Sequence, residues 1–407
     1  MKYILVIGDG MADYSVSNLN GRTPLQAANH PYMDKIVSRG ICGTVKTIPN
    51  GMQANTDVAI LSILGYNPKE QSVGRGPLEA ASMGVKLGEN DIALRCNIIT
   101  ENNGVLFDYS AGHIATAEGK KLIESIASVF GNKIDIDFYG GISYRHLLVL
   151  RGKDYSDKIH CFPPHDVMGK EITKIMVKPT AKIGNKTAML LNRLIAESKD
   201  ILGNDPVNKE RIRAGKNPGN MIWPWGQGKK PKFMTLEERF KLKGAVISAV
   251  DVIKGMGVYA GMDVINVPGA TGYIDTNYEG KAEFALDSLK NHDFVLVHVE
   301  APDEAGHTGD AALKIKTIED LDRRLIGKMI ENLTGDYTIA VLPDHMTPVT
   351  TRTHTADPVP FAMYSSIKER KNKVRHFDEE SVKKASYDIK RGHLFLSMFL
   401  EYGATRT

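Results

Sequence analysis

Three short apolar runs constrain this chain more than any other feature. "YILVI" (3–7) stands before "GDG" (8–10), "FVLVHV" (Phe294–Val299) before "EAPDEAGH", and "YTIAVL" (Tyr337–Leu342) before "PDH". Each run is rich in β-branched residues and continuous rather than alternating. Such runs fit strands buried on both faces, as in a parallel sheet covered by helices. The stretch "IKTIEDLDRRLIGKMIENL" supplies helical spacing through Ile315, Ile318, Leu321, Leu325, Met329 and Ile330. Ligands of open parallel sheets sit at the carboxyl ends of the strands, so the three acidic loops are expected along one edge.

The expected fold class is therefore α/β, a mostly parallel sheet flanked by helices, with a smaller α+β domain inserted into it. The insert is read over 84–178, from the short strands "DIALRCNIIT", "IDIDFYG" and "YRHLLVLRG" and the helix "TAEGKKLIESIASVF". Residues 1–83 and 179–407 are assigned to the main domain. "TAMLLNRLIAESKDIL" is expected to return to the main sheet. Residues 203–235, rich in Pro, Gly, Asn and Lys, read as a long functional loop.

Composition excludes several classes. The 407 residues carry 52 basic and 48 acidic side chains, a net charge of +4 that is too balanced for a nucleic-acid partner. The densest basic run, "GKKPK" (228–232), reads as a solvated loop that could help hold a small phosphorylated substrate. Cys42, Cys96 and Cys161 are widely spaced and odd in number, which argues against a disulfide framework and for the cytoplasm. The N-terminal apolar run has five residues, too few for a signal peptide or a membrane span.

The loops carry the chemistry. "GDGMAD" has GxG but places Asp13 where a dinucleotide fingerprint needs glycine, so Asp9 is either a turn residue or a metal ligand. Asp303 and His307 are four apart and share one helix face. Asp344 and His345 are sequence neighbours and reach one ion only if the loop bends. His354 alone reads as an ordinary hydrogen-bonded histidine. Together the strand ends offer three carboxylates and three imidazoles, enough for two ions with open positions, and mixed N/O ligation suits Zn²⁺ or Mn²⁺. Paired ions about 4 Å apart can clamp a phosphoryl group. In "QANTDVAILSILG", Thr56 opens a helix; read alone, it is a cap before it is a nucleophile.

The motifs "IGDGMAD", "NTDVAILSILGYNP", "GRGPLEAASMG", "RCN", "AGHI", "GATGYIDTN", "DEAGH", "PDH" and "HTADPVPF", in this order, resemble the archaeal-type, cofactor-independent phosphoglycerate mutases of the alkaline phosphatase superfamily. The resemblance covers essentially the whole chain and implies an alkaline-phosphatase-like sheet. It implies that Asp303, His307 and His354 bind one divalent ion, and that Asp9, Asp344 and His345 bind another together with the nucleophile hydroxyl. The metal would be Mn²⁺ or Zn²⁺, with Mg²⁺ and Co²⁺ as further candidates, and no 2,3-bisphosphoglycerate would be needed. The family usually has serine at the nucleophile position, where this chain has Thr56. Arg75, Arg95, His113 and Arg145 match the substrate-binding positions. The implied reaction interconverts 3- and 2-phosphoglycerate through a phosphothreonine, under an insert that closes over the substrate.

Two alternatives stay open. "WPWGQGKKPKF" and "HVEAPDEAGH" resemble a bacterial branch of which some members are proposed to be homoserine kinases, and Trp223 and Trp225 could stack on the base of a nucleotide donor or anchor a loop. A metal-dependent phosphohydrolase would differ only in admitting water to the phosphoenzyme.

Overall fold

The computed structural model describes every residue except 72, 132–134, 369, 371 and 405–407. It divides into two compact units, Met1–Ser72 with Phe233–Thr407, and Val73–Lys232.

The first unit is built on an eight-stranded sheet. Its spatial order is Met262–Val264, Gly244–Ile247, Phe294–Val299, Lys2–Gly8, Tyr337–Leu342, Val359–Ser365, Ile41–Val45 and Tyr387–Ile389. Val359–Ser365 runs against its neighbours, and the other pairings are parallel. The three apolar runs lie side by side with Lys2–Gly8 in the centre. Gly8 pairs with Val299 and Ile7 with Leu342, so Asp9, Glu300 and Asp344 emerge at one edge. Both faces are covered, as continuous apolar strands require. Ile4, Val6, Val295 and Val297 pack with Met33, Tyr278, Leu321 and Leu325 from helices on one side. On the other side, Tyr3 meets Phe399 of helix Phe395–Gly403 edge to face, and helix Asp251–Tyr259 lies close against Val246.

The 315–333 pattern is helical but not uniform. Helix Ala311–Asp320 widens into a π-helical segment, Leu321–Gly327, before Lys328–Asn332. The wide turn holds a buried Asp322, whose carboxylate accepts the Met33 and Tyr32 N–H groups at 2.7 and 3.1 Å. Those N–H groups belong to the first turn of helix Pro31–Arg39, where no intrahelical acceptor exists.

The second unit differs from the expected 84–178 at both ends. Its long strand Ile92–Asn102 pairs antiparallel with Arg145–Leu150, with Val105–Asp108 and with Met221–Lys229. Ile136–Ile142 completes the sheet; the first residue of the expected "IDIDFYG" strand, Ile134, lies outside the described residues. Helix Asn185–Gly203 does not return to the main sheet. Its Leu191, Leu194 and Ile195 share a core with Ile98, Ile126, Ile222 and Trp223. Nor is 203–235 a loop, because it holds helix Pro206–Arg213 and strand Met221–Lys229. Pro and Gly misdirect the sequence reading here. Pro224 is tolerated because its strand pairs on one side only, and Gly226 takes φ +64° where the register shifts.

The three cysteines are free and buried. Among the described residues, no helix is long and apolar enough to cross a membrane.

Candidate active site

The carboxyl edge of the first unit's sheet gathers every acidic loop residue singled out in the sequence. Asp9 follows strand Lys2–Gly8 and is fully buried. Gly10 takes φ +57°, and a Cβ there would stand 2.5 Å from both Asp303 Oδ1 and Thr347 Oγ1. Only glycine lets the turn after Asp9 pass so close to the next loop. The Gly10 N–H then donates to Asp344 Oδ1 at 3.1 Å, tying the first loop to the third.

Asp303 and His307 sit on helix Ala301–Thr308, directly after strand Phe294–Val299. Their spacing does bring them together, with His307 Nε2 3.1 Å from Asp303 Oδ2. His354 Nε2 is 3.5 Å from Asp303 Oδ1 and 3.0 Å from His307 Nε2. The Nδ1 atoms of His307 and His354 face the Arg352 and Ala54 carbonyls at 3.0 and 3.2 Å. A carbonyl only accepts, so each Nδ1 carries the proton and each Nε2 is left to face the other.

Asp344 and His345 sit beyond the end of strand Tyr337–Leu342. The loop bends sharply enough for both to face Asp9, with His345 Nε2 3.4 Å from Asp9 Oδ1 and 3.4 Å from Asp344 Oδ2. Those two buried carboxylate oxygens have no hydrogen-bond partner among the described residues. A buried unpaired anion is costly, so two that converge on one point call for a cation there. His345 joins both groups; its ring stacks on His354 with centroids 4.0 Å apart. Thr56 is not a cap. Asn55 holds the cap position of helix Thr56–Ile63 without a side-chain cap bond, and Thr56 Oγ1 faces His345 Nε2 at 3.2 Å.

Burial, then the neighbouring Asp344, Glu300 and Asp303, hold the Asp9 carboxyl well above its usual range. Burial acts against Asp303 as well, yet its hydrogen bonds with His307 and His354 hold it well below. The Asp303 bond raises His307 to about 9, while burial lowers His345.

Sequence reasoning missed four residues beside this cluster. His298 Nε2 lies 2.9 Å from Asp9 Oδ2, and burial lowers its ring to about 4, so it is neutral. Glu300 is raised to about 8, chiefly by burial, and its atoms approach those of Asp9 and His298 within 4.8 Å. Lys281 is fully buried and donates to the His298 carbonyl at 3.0 Å, and Ser248 Oγ is 3.3 Å from His298 Nδ1. The available signal was the single polar residue inside "FVLVHV".

The second unit holds Arg75, Arg95, His113 and Arg145. The guanidiniums of Arg75 and Arg95 lie 5.7 and 5.2 Å from the Trp225 ring centroid. Arg95 is buried, and after its own burial the charges of Arg145 and Arg75 lower it further, against Glu79, which raises it. Its Nε has no hydrogen-bond partner among the described residues. Arg145 lies over Tyr144, and the exposed His113 meets Tyr144 and Tyr109 edge on. The structure corrects one expectation. Trp223 and Trp225 are buried strand residues whose indole N–H groups donate to the Phe162 carbonyl and Asn97 Oδ1, both at 2.9 Å, and no face of Trp225 is left for a base. His165, edge on to Trp225 at 5.4 Å, was not anticipated.

The sequence pattern of 2,3-bisphosphoglycerate-independent phosphoglycerate mutase matches residues 37–208. A Methanosarcina barkeri protein of that name is 51% identical over 392 residues, 96% of each chain. The chain belongs to this family. Solved structures agree with the membership. A Thermoplasma acidophilum cofactor-independent phosphoglycerate mutase superposes with TM-score 0.71 at 32% identity, over 99% of this chain and 100% of its own. A Pyrococcus horikoshii protein does so with TM-score 0.85 at 30% identity, over 100% and 98%.

Proposed function

We propose that this chain interconverts 3-phosphoglycerate and 2-phosphoglycerate without 2,3-bisphosphoglycerate. The observation that carries the proposal is the pair of orphaned oxygens, Asp9 Oδ1 and Asp344 Oδ2, buried beside His345 and the Thr56 hydroxyl. Their donor set fits divalent cations of the Mn²⁺ or Zn²⁺ kind. Asp303, His307 and His354 would hold one ion; Asp9, Asp344, His345 and Thr56 would hold the other. When bound, such ions supply positive charge to the phosphoryl oxygens and favour ionisation of a neighbouring hydroxyl.

The chain's own residues supply the rest. Thr56 Oγ1 attacks phosphorus and the bond to the C3 oxygen breaks, with the threonine proton passing to that oxygen in the net step. Glycerate is retained by arginines, whose planar forks suit a carboxylate. Arg75, Arg95 and Arg145, with His113, are the residues proposed for this role. The C2 hydroxyl then attacks the phosphothreonine and returns the proton to Thr56. The extra methyl of threonine restricts its χ1, which narrows the approach of the hydroxyl.

A substrate panel with Mn²⁺ tests this directly. Purified protein is expected to convert 3-phosphoglycerate to 2-phosphoglycerate with no bisphosphoglycerate added. No conversion, together with ATP-dependent phosphorylation of homoserine or plain release of phosphate from an ester, would overturn the assignment.

A further inference from the structure

We infer that His298 is a positioning residue that fixes the Asp9 carboxylate, leaving one oxygen anchored and the other free for an ion. The inference rests on the reading of Asp9 as a ligand given above.

The geometry runs sideways across three adjacent strands. Ser248 follows strand Gly244–Ile247, His298 lies in Phe294–Val299, and Asp9 follows Lys2–Gly8. In Phe294–Val299 the flanking Val297 and Val299 point into the core on one face of the sheet, so His298 points to the other. His298 is fully buried there, and an imidazole in such a place needs partners at both nitrogens. It has them. Nε2 is 2.9 Å from Asp9 Oδ2, and Nδ1 is 3.3 Å from Ser248 Oγ.

The direction of each bond follows from the first. The Val250 N–H donates to Ser248 Oγ at 3.0 Å. The serine proton is therefore free to point at His298 Nδ1, which accepts it. The ring's single N–H proton then resides on Nε2 and goes to Asp9 Oδ2. Asp9 Oδ1 has no such partner and stands 3.4 Å from His345 Nε2. Anchoring one oxygen stops the carboxylate from rotating, so the free oxygen is held in place before any ion arrives. This is the outer-shell device that orients ligands at metal sites, with the usual roles of imidazole and carboxylate exchanged.

Asp9, His298 and Glu300 also approach closely enough to suggest a third ion. The hydrogen bonds favour the other reading. Nε2 cannot donate to Asp9 and offer a lone pair at once, and the buried Lys281 ammonium already stands next to His298.

The test is Mn²⁺ titration with elemental analysis on the wild-type protein, His298→Leu, His298→Gln and Ser248→Ala. Wild type is expected to bind two ions. His298→Leu should keep the ion of Asp303, His307 and His354 and bind the other about 10–100-fold more weakly. His298→Gln, which retains an N–H donor, should recover most of that loss, and the KM for 3-phosphoglycerate should stay the same. A merely structural role would weaken both ions alike and would not be rescued by glutamine. If His298→Leu does not fold, Ser248→Ala against Ser248→Thr decides, because only the loss of the hydroxyl should weaken the second ion. Unchanged affinity in these variants would overturn the inference. So would a third wild-type ion that His298→Leu removes. A wild type that binds fewer than two ions would overturn the two-ion reading itself, and this inference with it.

Discussion

The Thr56 hydroxyl and His345 Nε2 stand 3.2 Å apart, although 289 residues separate them in the chain. The contact joins the first turn of helix Thr56–Ile63 to the loop beyond strand Tyr337–Leu342. It turns the threonine toward the converging carboxylates instead of toward its own helix. Thr56→Ala should therefore lower kcat by about 10³-fold or more, while elemental analysis still finds close to two ions. Thr56→Ser should remain active. Near wild-type turnover in the alanine variant would mean that the hydroxyl takes no part.

Gly10 is held to glycine by its φ of +57° and by the Asp303 and Thr347 oxygens a Cβ would meet at 2.5 Å. Gly10→Ala should destabilise the fold by roughly 1–3 kcal/mol through backbone strain. It should also weaken binding of both ions, because the displaced loop carries Asp9 and presses on Asp303. Calorimetric melting with a metal titration checks this. A variant of unchanged Tm and metal affinity would contradict it.

The guanidiniums of Arg75 and Arg95 lie 5.7 and 5.2 Å from the Trp225 ring centroid, and the indole N–H donates to Asn97 Oδ1. Trp225→Leu removes both cation–π contacts, each worth about 1 kcal/mol. The expected result is a KM for 3-phosphoglycerate roughly tenfold higher with kcat little changed. A selective loss of kcat would place the tryptophan in the chemistry rather than in holding the arginines.

His146 in the second unit is buried and its Nδ1 accepts the Gly141 N–H at 3.1 Å, which requires a neutral ring. Burial, with a smaller push from Lys120, lowers it to about 4. Its folded value is below its unfolded one, so the unfolded chain takes up the proton first as pH falls. The stability contribution is complete above about pH 6.5 and declines toward pH 4, by up to about 3 kcal/mol. In urea titrations across that range, His146→Asn should show a shallower acid loss than wild type. Identical pH profiles would contradict the assignment.

Much of this arrangement was legible in the sequence because its causes are local. Continuous β-branched runs marked the central strands, and the spacing of Asp303 and His307 placed both on one helix face. Thr56 read as a cap because a threonine opening a helix is common; only the fold shows that its hydroxyl faces His345. The boundary of the second unit was missed because Pro224 and Gly226 suggest a loop, yet an edge strand accommodates both. His298 was missed because its neighbours in "FVLVHV" are apolar, and which strand end it faces depends on the order of the sheet.

The central claim is that the phosphoryl group passes through Thr56. The direct measurement is rapid acid quench of the Mn²⁺-loaded protein with 3-phosphoglycerate, followed by mass-spectrometric mapping of phosphate. The account predicts phosphate on the peptide containing Thr56 during turnover, absent from Thr56→Ala. Formation of 2-phosphoglycerate with no phosphate on Thr56, or with phosphate on another residue, would contradict it.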